Sequence, residues 1–288
     1  MRVFRLTDLP TSHGQAIALG YFDGGHKGHA ALLEKTVSEA RTRGIESAVF
    51  SFSELPTKSG VPLSREADRL AFFEAAGIDN VILASFDALR TLTPREFVTS
   101  FLVEQCRARL ALCGFNFRFG YKAEGDAALI SRLLPESVVL PPMLYEDIPI
   151  SATRIREALA RGEIDAANAM LGHPYTVSGT VTHGKAMGRT LGFPTANVVP
   201  TVFLPRHGVY KTTVEVDGIS YTGLSDVGVR PTVENTCDAR VETFLKDFTG
   251  DLYGKTLKIS FLSFVREEKR FSSPDALKEQ IARDLQFL

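Results

Sequence analysis

Cysteine is scarce in this chain. Cys106, Cys113 and Cys237 are the only three in 288 residues, an odd number with no CxxC pair. That excludes a disulfide scaffold and a cysteine-bound zinc, and it fits a reducing cytoplasm. Cys113 follows Leu110, Ala111 and Leu112 and reads as a small buried side chain. Net charge is nearly absent too: 33 Lys and Arg against 34 Asp and Glu leave −1. A chain so balanced has no bulk attraction to nucleic acid or to an anionic membrane, so neither is expected as a partner. No apolar run is long enough to span a bilayer. Met1, Arg2, Val3, Phe4 and Arg5 lack the apolar core of a signal peptide. Internal repeats and low-complexity tracts are missing as well. What remains is 44% hydrophobic and 23% charged, an ordinary soluble composition at a length that suits two domains.

The most informative stretch is Gly20-Tyr21-Phe22-Asp23-Gly24-Gly25-His26-Lys27-Gly28-His29. An apolar strand, 16–19, leads into it and an amphipathic helix with Leu32, Leu33, Val37 and Ala40 leads out. A Gly-rich turn from strand to helix is a phosphate setting, because helix N-terminal N–H groups and the dipole attract anions. His26 and His29 stand at i and i+3, on one face once the helix has begun. Two imidazoles beside a phosphate suit transition-state stabilisation in phosphoryl or nucleotidyl chemistry. The P-loop spacing almost fits from Gly20, but His26 takes the Lys place and Gly28 follows Lys27 where Ser or Thr belongs, so a P-loop is rejected.

The first half alternates strand and helix. Strands are expected at 17–19, 46–52, 80–84, 109–113 and 137–140, with helices from Ser64 to Gly77 and over 94–103. This order implies a parallel sheet with helices on both faces and a ligand site beyond the carboxyl ends of its strands. A helix over 152–171 stops at Gly172 and Pro174. Short strands follow, at 175–181, 208–216, 219–224, 240–245 and 256–265, with Asp217-Gly218 as a type I′ hairpin signal. The chain closes on a helix capped by Ser273-Pro274-Asp275. Residues 1–172 are therefore expected to form an α/β domain, and 173–288 a small all-β barrel with a C-terminal helix.

Three further segments carry charge or hydroxyls to loops. In Gly114-Phe115-Asn116-Phe117-Arg118-Phe119-Gly120, an Arg for phosphate sits among aromatics that border a ring. Ser151-Ala152-Thr153-Arg154-Ile155-Arg156 places hydroxyls and forked donors at a helix start, as a polyphosphate clamp does. Gly184-Lys185-Ala186-Met187-Gly188-Arg189-Thr190-Leu191-Gly192-Phe193-Pro194-Thr195-Ala196-Asn197 is a basic glycine loop ending in neutral oxygens, which suit a magnesium ion that keeps waters and phosphate ligands. Glu242, alone, reads as a solvent-facing strand residue.

The first stretch resembles the H-x-G-H signature of nucleotidyltransferases and, more narrowly, bacterial FAD synthetases. The 114–120 and 150–156 segments resemble later motifs of the same enzymes, with Asn116 in an Asp place and Ala152 in a Ser place. Ser51-Phe52-Ser53-Glu54-Leu55-Pro56 stands where these enzymes usually carry Phe-x-Pro-His-Pro. The 188–197 segment resembles the riboflavin kinase signature, and the stretches at 227–232, 241–245 and 247–254 resemble its later motifs. The resemblance spans nearly the whole chain in matching order. It implies a nucleotidyltransferase-type sheet domain followed by a Greek-key-like barrel. It implies phosphorylation of riboflavin to FMN by ATP in the barrel, and adenylylation of FMN to FAD in the sheet domain. Magnesium (Mg2+) is the implied metal; ATP, riboflavin, FMN and FAD are the small-molecule substrates and products.

By the same resemblance Glu242 is the base that takes the ribityl hydroxyl proton. His26 and His29 stabilise the α-phosphate. Gly20, Phe22, Asp23, Gly24, Gly28, Asn116, Arg118, Ser151, Thr153, Arg156, Gly184, Lys185, Gly188, Arg189 and Pro194 hold ATP and its phosphates. Arg230 and Phe248 touch flavin, and Thr195 and Asn197 hold the metal. Two alternatives stay open at this level. One is a kinase whose N-terminal domain has lost its reaction or modifies another phosphate ester. The other is a flavin-binding regulator without catalysis.

Overall fold

The computed structural model describes all residues except 10–13, 55–59, 135, 183–194, 232–236 and 270. It divides into two compact units, Met1–Ala152 and Thr153–Leu288.

The first unit is built on a six-stranded parallel sheet. Its strands are β1 (Arg2–Arg5), β2 (Gln15–Leu19), β3 (Glu46–Phe52), β4 (Asn80–Ala84), β5 (Ala108–Gly114) and, after the two-residue strands β6 (Arg118–Phe119) and β7 (Gly125–Asp126), β8 (Ser137–Leu140). The order across the sheet is β1-β4-β3-β2-β5-β8. β2 and β4 are buried along their whole length, so they read as continuous apolar runs. Alternation then sorts their side chains between two cores. Ile17 and Leu19 join Phe50, Phe97 and Phe101 on one face, while Ala16 and Ala18 join Leu33, Val37 and Phe73 on the other.

The second face is covered by α1 (Lys27–Arg43) and α2 (Glu66–Ala75). After the short α3 (Phe86–Leu89), α4 (Pro94–Glu96) starts at a capping box: Thr93 N donates to Glu96 Oε2 at 2.8 Å and Thr93 Oγ1 accepts from Glu96 N at 3.3 Å. Its continuation is π-type, over Phe97–Gln105, and covers the first face with α5 (Ala127–Leu133).

β2 is flanked by β3 on one side and β5 on the other, with Leu19 opposite Phe50 and Cys113. β2 leads through α1 to β3, whereas β5 is reached only after β4. The strand order therefore reverses at β2, and a ligand crevice belongs at the carboxyl ends of β2 and β5. The turn after Leu19 and the loop after Gly114 both open there. A small ribbon, β9 (Leu144–Tyr145) with β10 (Ile148–Pro149), ends the unit.

The single helix expected over 152–171 is two helices, α6 (Ala152–Arg161) and α7 (Ile164–Leu171), separated at Gly162, whose φ is 79°. Both helices, apart from Ala152, fall in the unit that carries the barrel, Thr153–Leu288. Leu159 O accepts from Arg206 N at 2.9 Å, and Asn168 bridges Phe261 O at 2.9 Å and Tyr175 N at 2.7 Å. The barrel strands are β11 (Tyr175–Thr182), β12 (Thr195–Val198), β13 (Gly208–Val216), β14 (Ile219–Pro231), β15 (Cys237–Leu245) and β16 (Thr256–Arg266). They close antiparallel in the order β11-β12-β15-β14-β13-β16. β13, β14 and β15 run as a meander and β12 returns beside β15, which is a Greek key. Asp217 and Gly218, at φ 52° and 78°, make the expected tight hairpin between Val216 and Ile219. Tyr175, Tyr210, Ile259 and Phe261 fill the buried interior, with a line of buried hydroxyls, Thr212 to Ser225 to Thr243, at 2.9 Å each. The chain ends on α8 (Pro274–Asp284), whose Ser273 cap accepts from Ala276 N at 3.2 Å.

Candidate active sites

The turn after β2 is tightly built. Phe22 is fully buried at φ 61°, a left-handed backbone that its packing must hold in place. Its ring sits edge-on to Phe73, 5.2 Å between centroids. Asp23 is buried, and its Oδ1 accepts from Leu63 N at 2.9 Å and Ser64 N at 3.0 Å. Phe22 and Asp23 thus shape the turn from beneath.

His26 caps α1: its Nδ1 accepts from His29 N at 3.3 Å. An accepting Nδ1 leaves the proton of the neutral ring on Nε2, a donor for an incoming oxygen. The two rings stack at 3.6 Å and 17°. Burial pulls His26 down to about 4, and burial with the adjoining His26 ring holds His29 well below the ordinary imidazole range. His29 Nδ1 is buried with no hydrogen-bond partner. Gly28 fits closely under the cap: an added Cβ would stand 3.1 Å from His26 Cε1, so the ring would have to give a little.

Arg69 was not foreseen. It is 3% exposed, donates to Tyr21 O at 3.1 Å, Ser51 Oγ at 3.2 Å and Ser53 O at 3.2 Å, and lies 4.5 Å from the centre of the Tyr21 ring. In the sequence it is one more charge on a helix. In the fold it is a cation under the histidine turn, at the end of β3 where the Pro-His-Pro pattern is missing.

In the loop after β5 the aromatics divide. Phe119 is buried against Phe97, Phe117 stacks on Phe119, and Phe115 is exposed. Asn116 and Arg118 are exposed, with Arg118 Nη1 3.9 Å from Asp126 Oδ2. β2 and β5 are parallel neighbours, so this loop and the histidine turn leave the same edge of the sheet. Ser151 lies in the first unit, next to its last residue, Ala152, while Thr153 and Arg156 lie on α6 in the second.

In the barrel, strand register assembles the second site. Asn197 on β12 is opposite Glu242 on β15, and Glu242 is opposite Asp226 on β14. Directly paired residues share a face, so three polar side chains stand in one row. Thr243 and Ser225, one residue along, point into the interior, so the row lies on the outer face. Asn197 is 6% exposed and its Oδ1 has no hydrogen-bond partner. Asp226 Oδ1 is also buried and unpartnered. Burial, then the negative charges of Glu268 and Glu242, push the Asp226 carboxyl up to about 7. Thr195 is exposed at the start of β12. Gly184, Lys185, Gly188, Arg189 and Pro194 lie outside the described residues. Phe248 packs edge-on to Tyr221, 5.3 Å away, near the start of β14. Arg230 is near the other end of that strand, and its side chain lies outside the described residues.

Known proteins match both domains. A family model described as FAD synthetase matches residues 8–154, and one described as riboflavin kinase matches 171–288. The bifunctional riboflavin kinase/FMN adenylyltransferase of Escherichia coli (strain K12) is 36% identical over 297 residues, covering 98% of this chain and 94% of that protein. The protein so named from Pseudomonas fluorescens is 36% identical over 290 residues, covering 96% and 92%. A crystal structure described as a macrolide-efflux protein from Streptococcus pneumoniae superimposes with a TM-score of 0.91 at 30% identity, covering 99% of this chain and 97% of that one.

The chain belongs to the bifunctional riboflavin kinase/FMN adenylyltransferase family. Its sheet unit is the FAD synthetase domain and its barrel the riboflavin kinase domain. No helix among the described residues is long and apolar enough to cross a membrane. Cys106 and Cys113 are buried free thiols, and burial pushes them up to about 12 and 11, so they stay unreactive. Asp226 is the barrel residue that sequence reasoning missed. A lone Asp within a strand looks like any outward-facing polar residue, and only the register places it beside Glu242.

Proposed function

We propose that the barrel domain transfers the γ-phosphoryl group of ATP to the ribityl 5′-hydroxyl of riboflavin, giving FMN and ADP. The sheet domain then transfers AMP from ATP to the FMN phosphate, giving FAD and pyrophosphate. The observation that carries the kinase half is the Asn197–Glu242 pair on adjacent strands. Glu242 takes the hydroxyl proton as the oxygen bonds to phosphorus and the bond to ADP breaks. Two neutral oxygens, Thr195 Oγ1 and the unpartnered Asn197 Oδ1, would hold magnesium; both fit an ion that keeps phosphate and water ligands. When bound, magnesium supplies charge neutralisation at the polyphosphate. Among the described residues no group of three or more His, Cys, Asp or Glu is arranged as a metal site, which agrees with a metal held by few protein oxygens. Gly184, Lys185, Gly188, Arg189 and Pro194 are proposed to bind ATP by the resemblance of their motif. Arg230 and Phe248 are proposed to reach the flavin from separate ends of β14.

In the sheet domain the FMN phosphate oxygen attacks the α-phosphorus and pyrophosphate leaves. His26 Nε2–H and His29 would donate to the charge that develops on the α-phosphate, as neutral donors in a dry turn. Gly20, Phe22, Gly24 and Gly28 bring backbone close, with Asp23 bracing the turn. Asn116, Arg118 and Ser151 would hold nucleotide and phosphates, and Thr153 and Arg156 are proposed as phosphate contacts on the resemblance of their motif alone. Buried, unpaired thiols support work in a reducing cytoplasm. The test is chromatography of the protein incubated with Mg2+, ATP and either riboflavin or FMN. FAD from both is expected. FMN without FAD would leave the kinase and remove the adenylyl half; no turnover with flavin bound would favour a regulator.

A further inference from the structure

We propose that Asp226 receives a ribityl hydroxyl of the flavin beside Glu242, and so makes the kinase site selective for a polyol chain; this rests on the kinase reading above. The residue is the third member of the row Asn197, Glu242, Asp226, set by the register of β12, β15 and β14. Directly opposed residues hold their Cβ atoms about 4.5–5.5 Å apart. A hydroxyl within reach of Glu242 therefore leaves the next hydroxyls of the same chain within reach of Asp226.

The surroundings say what kind of ligand fits. Asp226 Oδ1 is buried and has no partner. A buried acceptor without a donor is costly, so the site is completed by something that arrives. The nearby cation is already committed. Arg266 donates Nε and Nη2 to Asp284 at 2.7–3.0 Å and Nη1 to Glu267 O at 2.9 Å. Glu268 reaches the same face, over Gly228, where a Cβ would collide with its Oε1. Glu242, Glu268 and Asp284 surround Asp226 with negative charge. Such a place repels a phosphate and welcomes a neutral donor. A hydroxyl remains, and riboflavin carries several next to the one that reacts.

The experiment uses the full chain and two acceptors, riboflavin and a flavin whose N10 chain is a plain hydroxypentyl group. The second keeps the terminal hydroxyl and lacks the internal ones. Asp226→Ala should lower kcat/KM for riboflavin by about 10²-fold and leave the analogue within about threefold, so that the preference collapses. Asp226→Asn keeps an acceptor oxygen and should keep most of the preference. Equal losses with both flavins, or no loss with either, would overturn the assignment. Failure of the unaltered protein to phosphorylate either flavin would instead strike the kinase reading itself.

Discussion

His26 and His29 lie ring on ring, 3.6 Å apart at 17°, at the first turn of α1. Two imidazolium ions could not share that place, and burial pulls both pKa values down. As pH falls, the unfolded chain takes up the proton first, near 6.5, while the folded ring waits until about 4. Stability is thus unaffected above 6.5 and is lost as pH drops from 6.5 toward 4. At pH 5 the His26 contribution to that loss is about 2 kcal/mol. Asn is a good cap and carries no titrating ring. Urea unfolding of the wild type against His26→Asn should therefore diverge by that amount between pH 7 and pH 5. Parallel pH slopes would show that the ring is not held neutral by burial.

Gly28 is the sterically fixed point of the same turn. Alanine suits a helix there, so Gly28→Ala should change stability by less than about 1 kcal/mol. Its Cβ would press on the His26 ring and displace Nε2. A misplacement of about 1 Å costs about 10²-fold in rate, so a shift of a few tenths of an ångström should cost roughly several-fold. FAD formation from FMN should fall accordingly while FMN formation from riboflavin stays unchanged. A full rate of FAD synthesis would mean that His26 does not act at the phosphate.

Arg266 and Asp284 tie α8 to the barrel, with side chains 15% and 4% exposed. Asp284→Ala leaves the guanidinium buried and unmatched, a loss of about 3–5 kcal/mol. Arg266→Met in the same chain should restore much of it, because no charge is then stranded. Thermal unfolding of the single and double variants reads this directly. A double variant no better than the single one would contradict it.

Some of this was legible in the sequence. β3, β4 and β8 fall on the expected bounds, because apolar and β-branched runs there end at loop residues. The histidine turn is legible because its glycines and histidines have few other uses at that spacing. β1 and β12 are not, since β1 is a short apolar pair between Arg2 and Arg5 and β12 hides inside a ligand motif. Gly162 was absorbed into a helical pattern whose apolar faces continue on both sides of it. Phe119 reads as a ring for a ligand until Phe97 is seen beside it. Arg69 and Asp226 have meaning only through partners 16 to 48 residues away or across a strand pair. Those distances are set by the fold and are invisible in local sequence.

The two proposed sites should carry separable reactions. Glu242→Gln should lower the kinase rate by roughly 10²–10⁴-fold and still turn FMN into FAD, while His29→Ala should make FMN and stop there. The most direct measurement is FAD production from riboflavin by each variant alone and by the two mixed. Neither alone should yield FAD at the wild-type rate, and the mixture should recover it through released FMN. An inactive mixture, with both variants folded, would contradict two independent sites.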